Sequence, residues 1–171
     1  MRYIKNSIPE EHDLTVEDVH NVNIEIPNKG EVPFKILDTA GEEDYRTMMD
    51  KWITESDGYL LVFAINDKES FDDVKTIYDR LKKNGREKYP IILIGNKCDL
   101  IVEREVEEEM ARNYAKEINV EYYEASAKTD NNGNCKVVFQ KCAQMIDSKN
   151  PIPVPIPDHD DDHSSCHCVI Y

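Results

Sequence analysis

Apolar residues recur at every second position in the first strongly patterned stretch of the chain, at Val22, Ile24 and Ile26 and again at Val32, Phe34 and Ile36. A period of two places each set on one face of a strand. Pro27-Asn28-Lys29-Gly30 lies between them and supplies turn residues, so the pair is expected as an antiparallel hairpin. Tyr59-Leu60-Leu61-Val62-Phe63 and Ile91-Ile92-Leu93-Ile94 are apolar without interruption, as strands covered on both faces require. Tyr122-Tyr123 falls in a further strand. Helical spacing appears at Phe71, Val74, Tyr78 and Leu81, with Ser70 near the helix start. A second helix is expected around residues 105–117 and a third through Val138, Cys142 and Met145. Strands alternating with helices predict an α/β fold with a mostly parallel sheet.

The pattern breaks after Lys149. Pro151, Pro153, Pro155 and Pro157 alternate with Ile, Val and Ile, which favours an extended linker. An acidic, histidine-containing tail follows. The expected organisation is a domain over 1–149 and a linker and tail over 150–171. A length of 171 residues suits one such domain.

Charge narrows the function. A formal net charge of -14 argues against nucleic acid as a partner, because phosphate backbones are held by excess Lys and Arg. It also argues against adhesion to anionic lipid through a basic patch. The cysteines, Cys98, Cys135, Cys142, Cys166 and Cys168, are odd in number and widely spaced, so reduced thiols are expected rather than a disulfide framework. No stretch has the ~18 apolar residues of a membrane span, and the start lacks the apolar core of a signal peptide.

Four short motifs carry chemistry. Asn96-Lys97-Cys98-Asp99 directly follows the apolar strand, at the carboxyl end where open α/β sheets bind ligands. A carboxylate there accepts hydrogen bonds from two adjacent N–H donors of guanine, a pattern that adenine does not present. The Lys97 stem packs along a base in this reading, and Asn96 bridges neighbouring loops; the plainer reading is a polar turn. Glu124-Ala125-Ser126-Ala127-Lys128 comes one βαβ unit later, with backbone N–H groups aimed at the guanine carbonyl and small residues that permit close approach. Asp38-Thr39-Ala40-Gly41 ends the strand through Phe34. Its Asp is suited to Mg²⁺ and its Gly41 to close approach of a phosphate. Thr15, within the acidic stretch through Glu17 and Asp18, offers a hydroxyl to Mg²⁺; alone this is a solvated loop.

Motifs of this kind, in this order and spacing, resemble the Ras family of small GTPases from about Tyr3 to Lys149. The resemblance implies a switch that binds GTP or GDP with Mg²⁺ and hydrolyses GTP, its loops held by the γ-phosphate and released on hydrolysis. It implies guanine-nucleotide contacts from Asn96, Lys97, Asp99, Ser126, Ala127 and Lys128, and Mg²⁺ ligation by Thr15 and Asp38. Gly41 and Glu42 would stand at the reacting phosphate, and Glu17 and Asp18 on an effector surface. Effectors, exchange factors and GTPase-activating proteins would be the partners, at the cytoplasmic side of a membrane such as the plasma membrane.

The sequence departs from that family in two ways. The phosphate-binding signature G-x-x-x-x-G-K-[ST] is absent, and the first glycine is Gly30. The expected fold is therefore Ras-like but lacks its first strand, phosphate loop and most of its first helix, about 20–25 residues at common element lengths. The missing strand would sit mid-sheet and leave its neighbours unpaired. Either the sequence is truncated or the chain is a pseudo-GTPase, a non-catalytic interaction module without phosphate chemistry. Glu42 stands where the family usually has a water-orienting glutamine, so slow hydrolysis is expected; Ile8 and His12 replace aromatics near the nucleotide. At the end, Cys168-Val169-Ile170-Tyr171 fits a C-a-a-X prenylation box, with Cys166 as a candidate palmitoylation site. The competing use of His159, His163, Cys166, His167 and Cys168 as a zinc site lacks a folded framework.

Overall fold

The computed structural model describes residues 17–39, 46–129, 134–151 and 166–170. Strands β1 (Glu17–Ile26) and β2 (Gly30–Thr39) form the expected antiparallel hairpin, with Ile26 opposite Gly30. Asn28 and Gly30 take left-handed backbone angles, φ 68° and 78°, and the Lys29 N–H closes the turn onto the Ile26 carbonyl at 3.1 Å. Lys29 also reaches Asp147 at 2.5 Å, tying the turn to the last helix.

The remaining elements alternate as the sequence predicts. Strand β3 (Gly58–Ala64) precedes helix α2 (Lys68–Lys83), β4 (Ile91–Asn96) precedes α3 (Glu108–Glu117), and β5 (Glu121–Glu124) precedes α4 (Asn134–Lys149). Helix α2 buries Phe71, Val74, Tyr78 and Leu81; Asp67 caps it by accepting the Ser70 N–H. Helix α3 starts three residues later than expected, because the Glu105 and Val106 N–H groups both donate to the Ile65 carbonyl at 2.9 Å. A helix absent from the sequence reading, α1 (Arg46–Glu55), buries Met49, Trp52 and Ile53, whose spacing is itself helical.

Two apolar layers cover the sheet. Tyr59, Leu61, Phe63 and Leu93 pack under α1, α2 and α3, while Leu60, Ile92 and Ile94 pack under α4. Alternate residues of one strand thus enter different cores, which is why β3 and β4 are apolar throughout.

Among the described residues the sheet has six strands, in the order β1-β2-β6-β3-β4-β5. The position between β2 and β3 is not left unpaired: it holds β6 (Cys166–Ile170), the end of the tail, parallel to both neighbours. The tail's last residues carry the β-branched pair Val169-Ile170, which suits a buried central strand better than water. Five residues from beyond Lys149 therefore belong to the domain's own sheet.

Helix α4 packs tightly on Gly58, opposite Cys168: a Cβ there would lie 2.8 Å from Ile146 Cδ1 and 3.2 Å from Cys142 Sγ. Gly58→Ala should destabilise the chain by about 1–3 kcal/mol through overpacking. Urea unfolding monitored by circular dichroism checks this, and an unchanged midpoint would contradict the packing.

Candidate functional site

The site lies at the carboxyl ends of β4 and β5, adjacent parallel strands with Gly95 opposite Glu124. Parallel pairing brings the two following loops out on the same edge, so residues separated by about one βαβ unit meet. Asn96 ends β4, and its Oδ1 accepts the Ala127 N–H at 3.1 Å. The Cys98 N–H donates to the Ala125 carbonyl at 3.2 Å. Lys97, exposed between them, has φ 61°, and its carbonyl accepts the Leu100 N–H at 2.9 Å, turning the loop back on itself.

Asp99 and Ser126 complete the junction. The Ser126 hydroxyl donates to Asp99 Oδ1 at 2.5 Å, and Ser126 Oγ accepts the Thr129 N–H at 3.0 Å. Ser126 is buried and Asp99 half-buried. The serine bond holds the Asp99 carboxyl below its usual range, so it stands as an ionised acceptor. A carboxylate has about four lone-pair sites, more than this one bond consumes. Cys98, by contrast, is pushed up by burial and is a packed thiol rather than a nucleophile.

The support for these loops was not visible in the motifs. Arg104 grips Glu124 through two bonds of 2.8 and 2.9 Å, and Tyr122 donates to the same carboxylate at 2.8 Å. Burial opposes ionisation of Glu124, but the bonds from Arg104 and Tyr122 outweigh it and lower its pKa. Asn134 at the start of α4 donates to the Glu124 carbonyl at 2.7 Å. Tyr122 is a neighbour on the same strand, whereas Arg104 and Asn134 come from segments on either side of the loop that no short spacing announces.

Other expected site residues are distributed as follows. Asp38 lies near the end of β2, half-buried, with Asp18 and Ile170 as its register partners. Glu17 and Asp18 are the first residues of strand β1, not of a loop; they pair with Thr39 and Asp38 at the sheet's edge. Lys128 is exposed beside the two loops. Thr15, Gly41 and Glu42 lie outside the described residues. Among the described residues no three His, Cys, Asp or Glu side chains converge as a metal site. Asp38 alone is still a fitting donor for Mg²⁺, which commonly takes one or two protein carboxylates and fills its shell with water and phosphate oxygens.

Beneath the loops lies a cavity of about 130 Å³ walled by Leu60, Val62, Ile94, Val138, Phe139 and Ile170. Its lining holds no charged side chain.

A mainly parallel sheet with helices on both faces and paired loops at its carboxyl edge defines a doubly wound α/β domain. The Ras family profile matches residues 1–148. The chain is also 39% identical over 134 residues to protein ras-1 of Neurospora crassa, an alignment covering 77% of this chain and 62% of that protein. The chain belongs to the Ras family of small GTPases. It spans 62% of the length of the curated relative it matches.

Arg104→Met should leave Glu124 without its cation and cost about 1–2 kcal/mol in urea unfolding at neutral pH. Because the carboxyl is depressed in the fold, this contribution is present above its unfolded value of about 4.3 and fades as pH falls through the lower folded value. The stability gap between the two proteins should therefore narrow on acidification to about pH 3. A gap independent of pH would show that Glu124 is not held this way.

Proposed function

We propose that this chain is a guanine-nucleotide switch in signal transduction, binding GTP and GDP with Mg²⁺ and hydrolysing GTP. The observation that carries the reading is the junction of the two loops: Ser126 bonded to Asp99 and Ala127 bonded to Asn96. In this reading Asp99 selects guanine by accepting from its ring and amino N–H groups. Lys97 covers the base, and the loop from Ser126 to Lys128 closes over the guanine carbonyl. Asp38 and Thr15 serve Mg²⁺, which when bound neutralises the charge of the phosphates. Gly41 donates its backbone N–H toward the terminal phosphate, and Glu42 takes the place beside the attacking water. A glutamate there keeps an acceptor but loses an amide donor and adds negative charge, which slows hydrolysis.

Effectors would engage the β1 edge that begins at Glu17 and Asp18, with exchange factors and GTPase-activating proteins acting on the nucleotide site. Prenylation of Cys168, with Cys166 as a second lipid site, would hold the switch at the cytoplasmic side of a membrane, such as the plasma membrane.

A second reading is favoured by one specific observation. The mid-sheet position that the family resemblance gives to a strand leading into the phosphate loop is taken by Cys166–Ile170, and the cavity beside it is apolar. A non-catalytic interaction module, presenting β1 to partners without phosphate chemistry, accounts for that arrangement.

Displacement of a fluorescent GDP analogue from the full chain separates the two. GDP should compete far better than ADP, and Asp99→Ala should weaken binding about ten- to hundredfold, the worth of hydrogen bonds to a charged group. Indifference to the base, or no binding at all, would leave the interaction module standing. For the catalytic step, Glu42→Gln should raise single-turnover GTP hydrolysis several-fold; an unchanged rate would remove Glu42 from the reaction.

A further inference from the structure

The lipid-acceptor cysteine of the proposed prenylation box lies inside the sheet. Cys168 is opposite Ile36 on β2 and Gly58 on β3, and only 3% of its surface is exposed. Both edges of β6 are taken up, by β2 from Phe34 to Asp38 and by β3 from Gly58 to Leu60. The Thr39 hydroxyl adds a bond to the Ile170 carbonyl at 2.7 Å. Behind the strand, Cys168 Sγ sits 3.6 Å from Cys142 Sγ of α4, in a cluster with Leu60 and Ile146. Gly58 has no side chain, and the space a Cβ would fill is already bordered by Ile146 and Cys142.

We infer that the slot between β2 and β3 is an acceptor site for the chain's own C-terminal strand, and that its occupancy hides Cys168 from modification. The steric argument is direct. A thiol 3.6 Å from a buried neighbour has no room for an isoprenoid chain, nor for the enzyme that would deliver one. The chemical argument agrees, since its contact with Cys142 and its burial keep the Cys168 thiol protonated, and the thiolate is the attacking form. The tail is therefore either a central strand or an accessible lipid-acceptor, and not both at once. Modification requires the strand to leave, and a modified strand does not return. Membrane attachment and completion of the sheet become alternatives. This last step rests on the prenylation reading, whereas the shielding of Cys168 does not.

The test uses the wild-type full chain. It is treated with N-ethylmaleimide under native conditions, quenched at intervals, digested and mapped by mass spectrometry. A synthetic peptide covering residues 158–171 is labelled alongside. Cys168 of the chain should label at least a hundredfold more slowly than Cys168 of the peptide, while the half-buried Cys135 labels readily. Labelling within threefold of the peptide would overturn the inference. Val169→Pro removes a ladder donor and should bring the Cys168 rate toward that of the peptide. Circular dichroism shows whether that variant keeps its helices; if it unfolds, the wild-type comparison decides alone. Chain and peptide are then offered a prenyl diphosphate and a protein prenyltransferase. Transfer to the peptide but not to the chain supports the shielding, and equal transfer to both overturns it. If the peptide itself accepts no prenyl group, the lipidation reading fails, and the maleimide result still decides the strand.

Discussion

A strand in the middle of a parallel sheet must be hydrogen-bonded along both edges, because helices on the two faces keep water away from its backbone. The layout of this molecule follows from how one position meets that demand. Between β2 and β3, the facing edges of Phe34 to Asp38 and of Gly58 to Leu60 would otherwise go unpaired across the register now taken by β6. Cys166–Ile170 supplies the partner, and with it β1 and β2 are joined to the half of the sheet that carries the loops. Without a strand there the hairpin would be attached mainly through α4, by contacts such as Lys29 with Asp147 and the shared apolar cluster.

The candidate site draws its rigidity from the other half. β3, β4 and β5 run parallel, so their loops emerge side by side. Asn96 and Ser126 then fasten one loop to the next. Arg104, Tyr122 and Asn134 fix Glu124, where β5 ends and the second loop begins. The charge of Asp99 is kept in place by a neighbour's hydroxyl, so a ligand bound there would meet an acceptor already ionised and oriented, with little ordering left to supply.

Much of this was legible in residues 59–63 and 91–94, whose unbroken apolar character demands cover on both faces, and in the period-two stretches of the hairpin. The motif pair around Asp99 and Ser126 was legible because its chemistry is local: each loop follows its own strand. What escaped was non-local. Helix α1 carries Met49, Trp52 and Ile53 at helical spacing, but in a window of ten residues too short to establish the period. The Arg104 clamp joins residues 20 apart in sequence that only the fold brings together. The destination of Cys166–Ile170 escaped for a deeper reason: the run was read as part of a lipidation box, and its strand partners, Phe34 to Asp38 and Gly58 to Leu60, lie far away in the sequence.

The hairpin leaves β1 on the outside of the sheet, ten residues long and with one backbone edge unpartnered by another described strand. An edge of that length is a template on which other chains can stack and aggregate. Here its inward residues, Ile24 and Ile26, are buried, while Asn21, Asn23 and Glu25 alternate with them on the solvent side. Amides and a carboxylate on that side favour hydration over stacking, which opposes pairing along an edge that the fold leaves open.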